Sequence, residues 1–182
     1  MEILRKNDIA VPKTDFADSA EAAAKVYSKL FKEGDEAVLK AMVLTGGRGR
    51  GHFDNGLQSG VHFVNSAAQA SEIAGKMIGA KLITKQTGEG GLPCGKVMLA
   101  EKVNVKREMY VTIMLDRAAG GPMFVLSPKG GMAIEDVAAE DPDAIFKRPI
   151  TITKGITDED TDFLSKALGF EPGIRQITFL FL

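Results

Sequence analysis

The sequence of 182 residues contains no tryptophan, one cysteine, two histidines and two tyrosines. A lone cysteine, Cys94, cannot close an internal disulfide, which points to a reducing compartment. His52 and His62 are the only histidines, too few for a convincing metal site. No apolar run approaches the ~20 residues that a membrane-spanning helix needs. Net charge is missing too: 23 basic residues nearly cancel 24 acidic ones, so any attraction for an anion must be local, and bulk binding to nucleic acid or membrane is excluded. What remains is an ordinary globular mixture, 45% hydrophobic and 26% charged, long enough for one large domain or two small subdomains. The helix-like opening "MEILRKNDIAVPK" and the apolar ending "ITFLFL" are both abrupt, and lead us to expect a piece of a longer protein.

Three helices are announced by their caps. Asp18 with Glu21 reads as a capping box, followed by Ala23, Val26, Tyr27, Leu30 and Phe31 on one face and a stop at Gly34. Ser66 with Gln69 opens a second helix that ends at Gly79, and Thr157 with Asp160 a third that ends at Gly169. Strands are expected over 36–44, 60–64, 96–103, 108–116, 122–127 and 149–153, where β-branched and aromatic residues gather. "DRAAGG" (116–121) reads as a hairpin turn. Strands and helices alternate without regular βαβ spacing, so the expected class is α+β. "TGEGG" (87–91) marks a candidate subdomain joint, near 87–95.

The chemistry is concentrated in "VLKAMVLTGGRGRGHFDNG" (38–56). An apolar strand carrying Lys40 runs into a loop with Gly46, Gly47, Gly49 and Gly51, the cations Arg48 and Arg50, and no acidic residue until Asp54. The segment is not a P-loop, because no Lys-Ser or Lys-Thr pair closes it, and no helix follows as a dinucleotide fingerprint requires. Strand, mobile glycine loop, strand is the expected order, with bare backbone N–H groups and an arginine holding a small anion. Lys40 is either a strand-edge lysine reaching solvent or the fixed partner of that anion. RNA binding through "GGRGRG" is disfavoured, since only Phe53 is near for stacking. The acidic run 134–143 reads as helix starts rather than a metal cage, and Cys94 has no matched base.

These residues carry a resemblance. "VLKAMVLTGGRGRGHFDNGLQSGVHFV", "KLITKQTG", "REMYVTIMLDR", "GPMFVLSPKGGMAIEDVAAEDPDAIFK" and "LGF" are similar, in order, to the amino-terminal half of the succinyl-CoA ligase (succinyl-CoA synthetase) β subunit. The resemblance implies an ATP-grasp fold over 1–170, in which two α+β subdomains clamp a nucleotide and the glycine loop (45–56) covers its phosphates. It implies nucleotide contacts at Lys40, Gly47, Arg48, Gly49, Ala100, Val103 and Glu108, with backbone contacts to the base at Ala100 and Val103. Arg48 is then the mobile cation and Lys40 the fixed one. No catalytic or metal-binding residue is expected within this chain: the family's phosphorylated histidine lies on the α subunit, its Mg²⁺ ligands and flavodoxin-like domain lie beyond residue 182, and 171–182 departs from the family pattern. The implied enzyme is an acid–thiol ligase of the tricarboxylic acid cycle that interconverts succinyl-CoA, nucleoside diphosphate and phosphate with succinate, CoA and nucleoside triphosphate. Its implied partner is an α subunit, in a heterodimer or heterotetramer. "VPK" (11–13) resembles ADP-forming members, which favours ATP/ADP over GTP/GDP. "GGRGRGHFDNGL" resembles mitochondrial members, which implies the matrix, a bacterial cytoplasm being the alternative. A malate–CoA ligase β subunit and a non-catalytic β chain are the rival readings.

Overall fold

The computed structural model describes residues 2–7, 9–131 and 134–170. The chain forms two compact units, Met1–Asn104 and Val105–Leu182. Among the described residues no helix is long and apolar enough to cross a membrane.

The first unit runs α1 (Glu2–Lys6), β1 (Thr14–Ala17), α2 (Ala20–Leu30), β2 (Ala37–Ala41), a 3₁₀ turn (Arg48–Arg50), β3 (His52–Phe53), β4 (Val61–Val64), α3 (Ala67–Met77), β5 (Lys81–Ile83), β6 (Leu92–Pro93) and β7 (Val97–Glu101). Its main sheet is antiparallel in the order β1-β7-β2-β4, and a smaller sheet has the order β3-β5-β6. Strand β2 shows why one face is core. Ala37, Leu39 and Ala41 are buried while Val38 and Lys40 are half-buried, the period of two of a pleated strand. The buried set packs with Ala23, Val26 and Tyr27 of α2 and Ala70, Ala74 and Met77 of α3. Small alanines on both helices allow close approach, and fully burying a side chain such as Leu39 contributes about 1.5–3 kcal/mol. Tyr27 is buried with its hydroxyl shared between the carbonyls of Asp35 (2.7 Å) and Lys32 (3.0 Å).

The second unit runs β8 (Tyr110–Asp116), β9 (Gly121–Ser127), α4 (Ile134–Glu140), a 3₁₀ turn (Pro142–Ala144), β10 (Phe146–Pro149) and α5 (Asp158–Ala167). Its antiparallel sheet has the order β10-β9-β8, and Phe124 and Leu126 of β9 pack against Leu164, Ala167 and Leu168. The hairpin at 116–121 forms as expected, with Asp116 Oδ1 accepting from Ala119 N–H at 2.8 Å and Gly120 at φ 68°. The two antiparallel units bear out the α+β class.

Three expectations are corrected. The first cap is Ser19, not Asp18: Ser19 Oγ accepts from Ala22 N–H at 3.1 Å, one residue later than the pattern indicated. No strand covers 149–153. Strand β10 lies earlier and ends at Pro149; Ile150 N–H still donates to the Pro122 carbonyl at 2.8 Å, but Pro122 has no N–H to return the bond, and Thr151 then turns the chain by accepting from Lys154 and Gly155. The division between units falls after Asn104 rather than near 87–95. Leu92–Pro93 is paired to β5, and Gly79 and Ala80 are bonded to Cys94, which stitches that segment into the first unit. The acidic run becomes α4 and the Pro142 turn, with Asp141 bridged to Lys129 at 2.7 Å. Residues 171–182, the expected atypical tail, lie outside the described residues.

Candidate functional site

The core side of the main sheet is covered by α2 and α3; the other side carries the chemistry. Register puts Lys40 opposite Met98 and Val61, and Val38 opposite Ala100 and Phe63, so these six residues share one face. Lys40 and Ala100 are therefore diagonal neighbours across β2 and β7, a separation of roughly 7–8 Å between backbones. Lys40 is half-buried in an apolar setting, while Phe63 remains 62% exposed at the outer strand. The face thus offers a largely apolar wall in which Lys40 is set, with Lys102 Nζ 5.3 Å over the Phe63 ring at its outer strand.

Ala100 is only 5% exposed, and its backbone is committed. Glu101 N–H donates to Lys13 on the β1 side, and successive residues of an antiparallel strand alternate sides, so Ala100 directs its N–H and C=O toward Val38. Val103 lies past the end of β7 and is exposed.

The glycine loop leaves the end of β2 and is tied down at both ends. At its exit, the carbonyl of Arg48 accepts from Gly51 and Gly60, and Gly51 in turn accepts from Ser59. Gly51 has no room for a side chain, because a Cβ there would sit 2.6 Å from the Ile83 carbonyl oxygen. Gly47 adopts φ 70°, a left-handed conformation that favours glycine, whereas a Cβ on Gly49 would meet only Val61 Cγ2 at 4.0 Å. Within the described residues, no acceptor is bonded to the N–H groups of Gly47, Arg48 or Gly49. Three successive N–H groups without an acceptor are donors that an anion could use.

Arg48 itself differs from expectation. Its Nη1 donates to the Ala41 carbonyl at 2.8 Å, so the guanidinium is anchored on the end of β2 instead of swinging with the loop. The loop's entrance is held by groups that sequence reasoning missed. Gly46 N–H donates to Gln86 Oε1 at 2.7 Å, and Thr45 Oγ1 lies 2.9 Å from Thr84 Oγ1. The only signal was the Thr-Lys-Gln-Thr run at 84–87, whose hydroxyls favour tight turns; nothing in it names a partner forty residues away.

Glu108 belongs to the second unit. Its carbonyl accepts from Gly130 N–H at 3.0 Å, and its side chain lies against Gly131, at φ 74°, where any Cβ would overlap the carboxylate. The Gly130-Gly131 pair is thus the seat of Glu108.

The remaining reactive side chains are quiet. Cys94 is fully buried, its Sγ donates to the Lys96 carbonyl at 3.4 Å, and burial pushes its pKa up, away from a nucleophilic thiolate. His62 Nε2 is 3.0 Å from the Ser59 carbonyl oxygen. Among the described residues no group of three or more His, Cys, Asp and Glu side chains is arranged to hold a metal ion.

A family described as the ATP-grasp domain matches residues 1–180. The chain is 44% identical over 169 residues to the mitochondrial succinate–CoA ligase (ADP-forming) subunit beta of Neurospora crassa, covering 93% of this chain and 37% of that protein. It is 42% identical over 175 residues to the mitochondrial succinate–CoA ligase (GDP-forming) subunit beta of Columba livia, covering 96% of this chain and 44% of that protein. The chain therefore spans about two-fifths of these curated relatives. Among solved structures, a dinucleotide-forming acetyl-coenzyme A synthetase from Ca. Korarchaeum cryptofilum superposes with a TM-score of 0.55 at 15% identity, over 91% of this chain and 62% of that one, which is a likeness of fold. The chain belongs to the ATP-grasp domain family.

Proposed function

We propose that this chain is the nucleotide-binding part of a succinate–CoA ligase β subunit, taking ADP and ATP in the mitochondrial matrix and acting with an α subunit. The observation that carries the reading is the pairing of a half-buried lysine on an apolar sheet face with an adjoining loop that offers three consecutive backbone donors. ADP-forming and GDP-forming relatives are nearly equally similar, so adenine over guanine rests on the resemblance of "VPK" at 11–13 to ADP-forming members, while the mitochondrial relatives support the matrix as location.

In this reading Lys40 neutralises the polyphosphate from a fixed position, and the N–H groups of Gly47, Arg48 and Gly49 bind its oxygens. The anchored Arg48 guanidinium shapes the loop and contributes charge at short range. Ala100 serves the base as an apolar wall, since its backbone groups face Val38, and Val103 supplies backbone contacts beyond the strand end. Glu108, seated on Gly131 in the second unit, is carried into this reading by the family resemblance alone. The complete enzyme would convert succinyl-CoA, ADP and phosphate to succinate, CoA and ATP, with the phosphoryl group carried by a histidine of the α subunit. This chain's part is positioning and charge stabilisation.

Calorimetric titration with ATP, GTP and UTP tests the proposal. We expect saturable binding of ATP, at least several-fold tighter than GTP; no binding of any triphosphate would overturn the nucleotide reading, and a GTP preference the adenine one.

A further inference from the structure

Gly46 is held at its N–H directly by the 84–87 turn and at its carbonyl through Thr45, which that turn engages. Its N–H donates to Gln86 Oε1 at 2.7 Å. Its carbonyl accepts from Thr45 Oγ1 at 3.1 Å, and that hydroxyl is 2.9 Å from Thr84 Oγ1. The proton directions are fixed by exhaustion. Thr84 Oγ1 accepts from the N–H groups of Gln86 (3.2 Å) and Thr87 (3.3 Å), which leaves its own hydrogen for Thr45; Thr45 then gives its hydrogen to the Gly46 carbonyl. Thr84 is 7% exposed and its own N–H donates to Thr87 Oγ1 at 2.8 Å, so the turn that presents Gln86 is itself rigidly bonded. The glutamine amide lies so close to Gly46 that a Cβ there would be 2.8 Å from Nε2. This network occupies the Gly46 donor, while among the described residues the next three, on Gly47, Arg48 and Gly49, have no acceptor.

We propose that Gln86 is a positioning residue for phosphate binding: it takes Gly46 out of the donor set and fixes the loop entrance, so that the following N–H groups are presented ready-oriented. The inference rests on the nucleotide reading above and adds a residue that need not touch the nucleotide. Preorganisation of this kind raises affinity by removing the ordering cost at binding. Losing one such neutral hydrogen bond should weaken binding about fivefold.

The test compares the unaltered chain with Gln86→Met, which keeps length but loses the acceptor, and Gln86→Glu, which keeps an acceptor. Amide hydrogen exchange at Gly46, with Leu99 as a core control, reads the bond without any nucleotide; calorimetry with ADP and with adenosine reads the consequence. We expect Gly46 to exchange at least several-fold faster in Gln86→Met and to stay protected in Gln86→Glu, with Leu99 unchanged in both. Gln86→Met should bind ADP about fivefold more weakly and adenosine within twofold of the unaltered chain. Unchanged Gly46 exchange, ADP affinity within twofold, or equal loss for ADP and adenosine would each overturn the role of Gln86. If the unaltered chain bound no ADP, the nucleotide reading would fall and this role with it, a result distinct from a failure confined to the variant.

Discussion

Asp160 concentrates the electrostatics of the second unit, and removing it gives a sharp prediction. Its Oδ2 accepts from Thr157 N–H at 2.9 Å and Thr157 Oγ1 at 2.8 Å, its Oδ1 accepts from Arg148 Nε at 2.8 Å, and the residue is 5% exposed. These contacts, led by the Thr157 backbone bond and then Arg148, hold its pKa down to about 2 from the model-peptide value of 3.8. The group is thus more acidic folded than unfolded, so its stabilisation is complete above pH ~4 and is lost as pH falls toward ~2. The difference corresponds to on the order of 2 kcal/mol. Asp160→Ala also strands part of the cap of α5, so we expect a loss of about 2–3 kcal/mol at pH 7 by urea unfolding followed by circular dichroism. Asp15, Glu72 and Asp141 are also held below their usual range by lysine partners, so the acid limb of the wild type is not due to Asp160 alone. The decisive quantity is the difference between wild type and Asp160→Asn, which should shrink steadily between pH 4 and 2. A difference that stays constant over that interval, or an alanine variant within ~0.5 kcal/mol of wild type at pH 7, would refute this account of the cap.

The glycine loop gives a contrasting pair. Gly51→Ala forces a methyl against the Ile83 carbonyl and should cost about 1–3 kcal/mol in urea unfolding. Gly49→Ala has open space and an ordinary backbone, and should leave stability unchanged or raise it by up to ~1 kcal/mol, while weakening ATP binding severalfold in calorimetry. Equal destabilisation by both would contradict the packing described for Gly51.

What was legible in the sequence follows from the range of the interactions involved. Ser66 and Thr157 were readable because a cap is closed within three residues: Ser66 Oγ accepts from Gln69 N–H, and Thr157 with Asp160 forms the full reciprocal box. Asp18 and Ser19 are both competent caps side by side, so the pattern alone does not separate them, and it is Ser19 whose hydroxyl accepts from Ala22 N–H. Strands β3, β5 and β6 are two or three residues long, too short for any periodicity to register, and exist because the first unit pairs them with one another. In the site, Lys40 stood out because an ammonium in an apolar strand demands an explanation. Gln86 did not, because its importance comes from a contact 40 residues away in sequence. Arg48 was legible as a cation near the loop, but its bond to the Ala41 carbonyl depends on where β2 ends.

The central claim is that a lysine set in a sheet and a braced glycine loop hold the polyphosphate of a nucleotide. Calorimetry of Lys40→Ala against ATP and adenosine tests it most directly. Loss of one charge-assisted contact to phosphate should weaken ATP binding by roughly 10- to 100-fold. Adenosine, which has no phosphate, should bind within twofold of the unaltered chain. Equal weakening of both ligands, or an ATP affinity unchanged by the substitution, would contradict the claim.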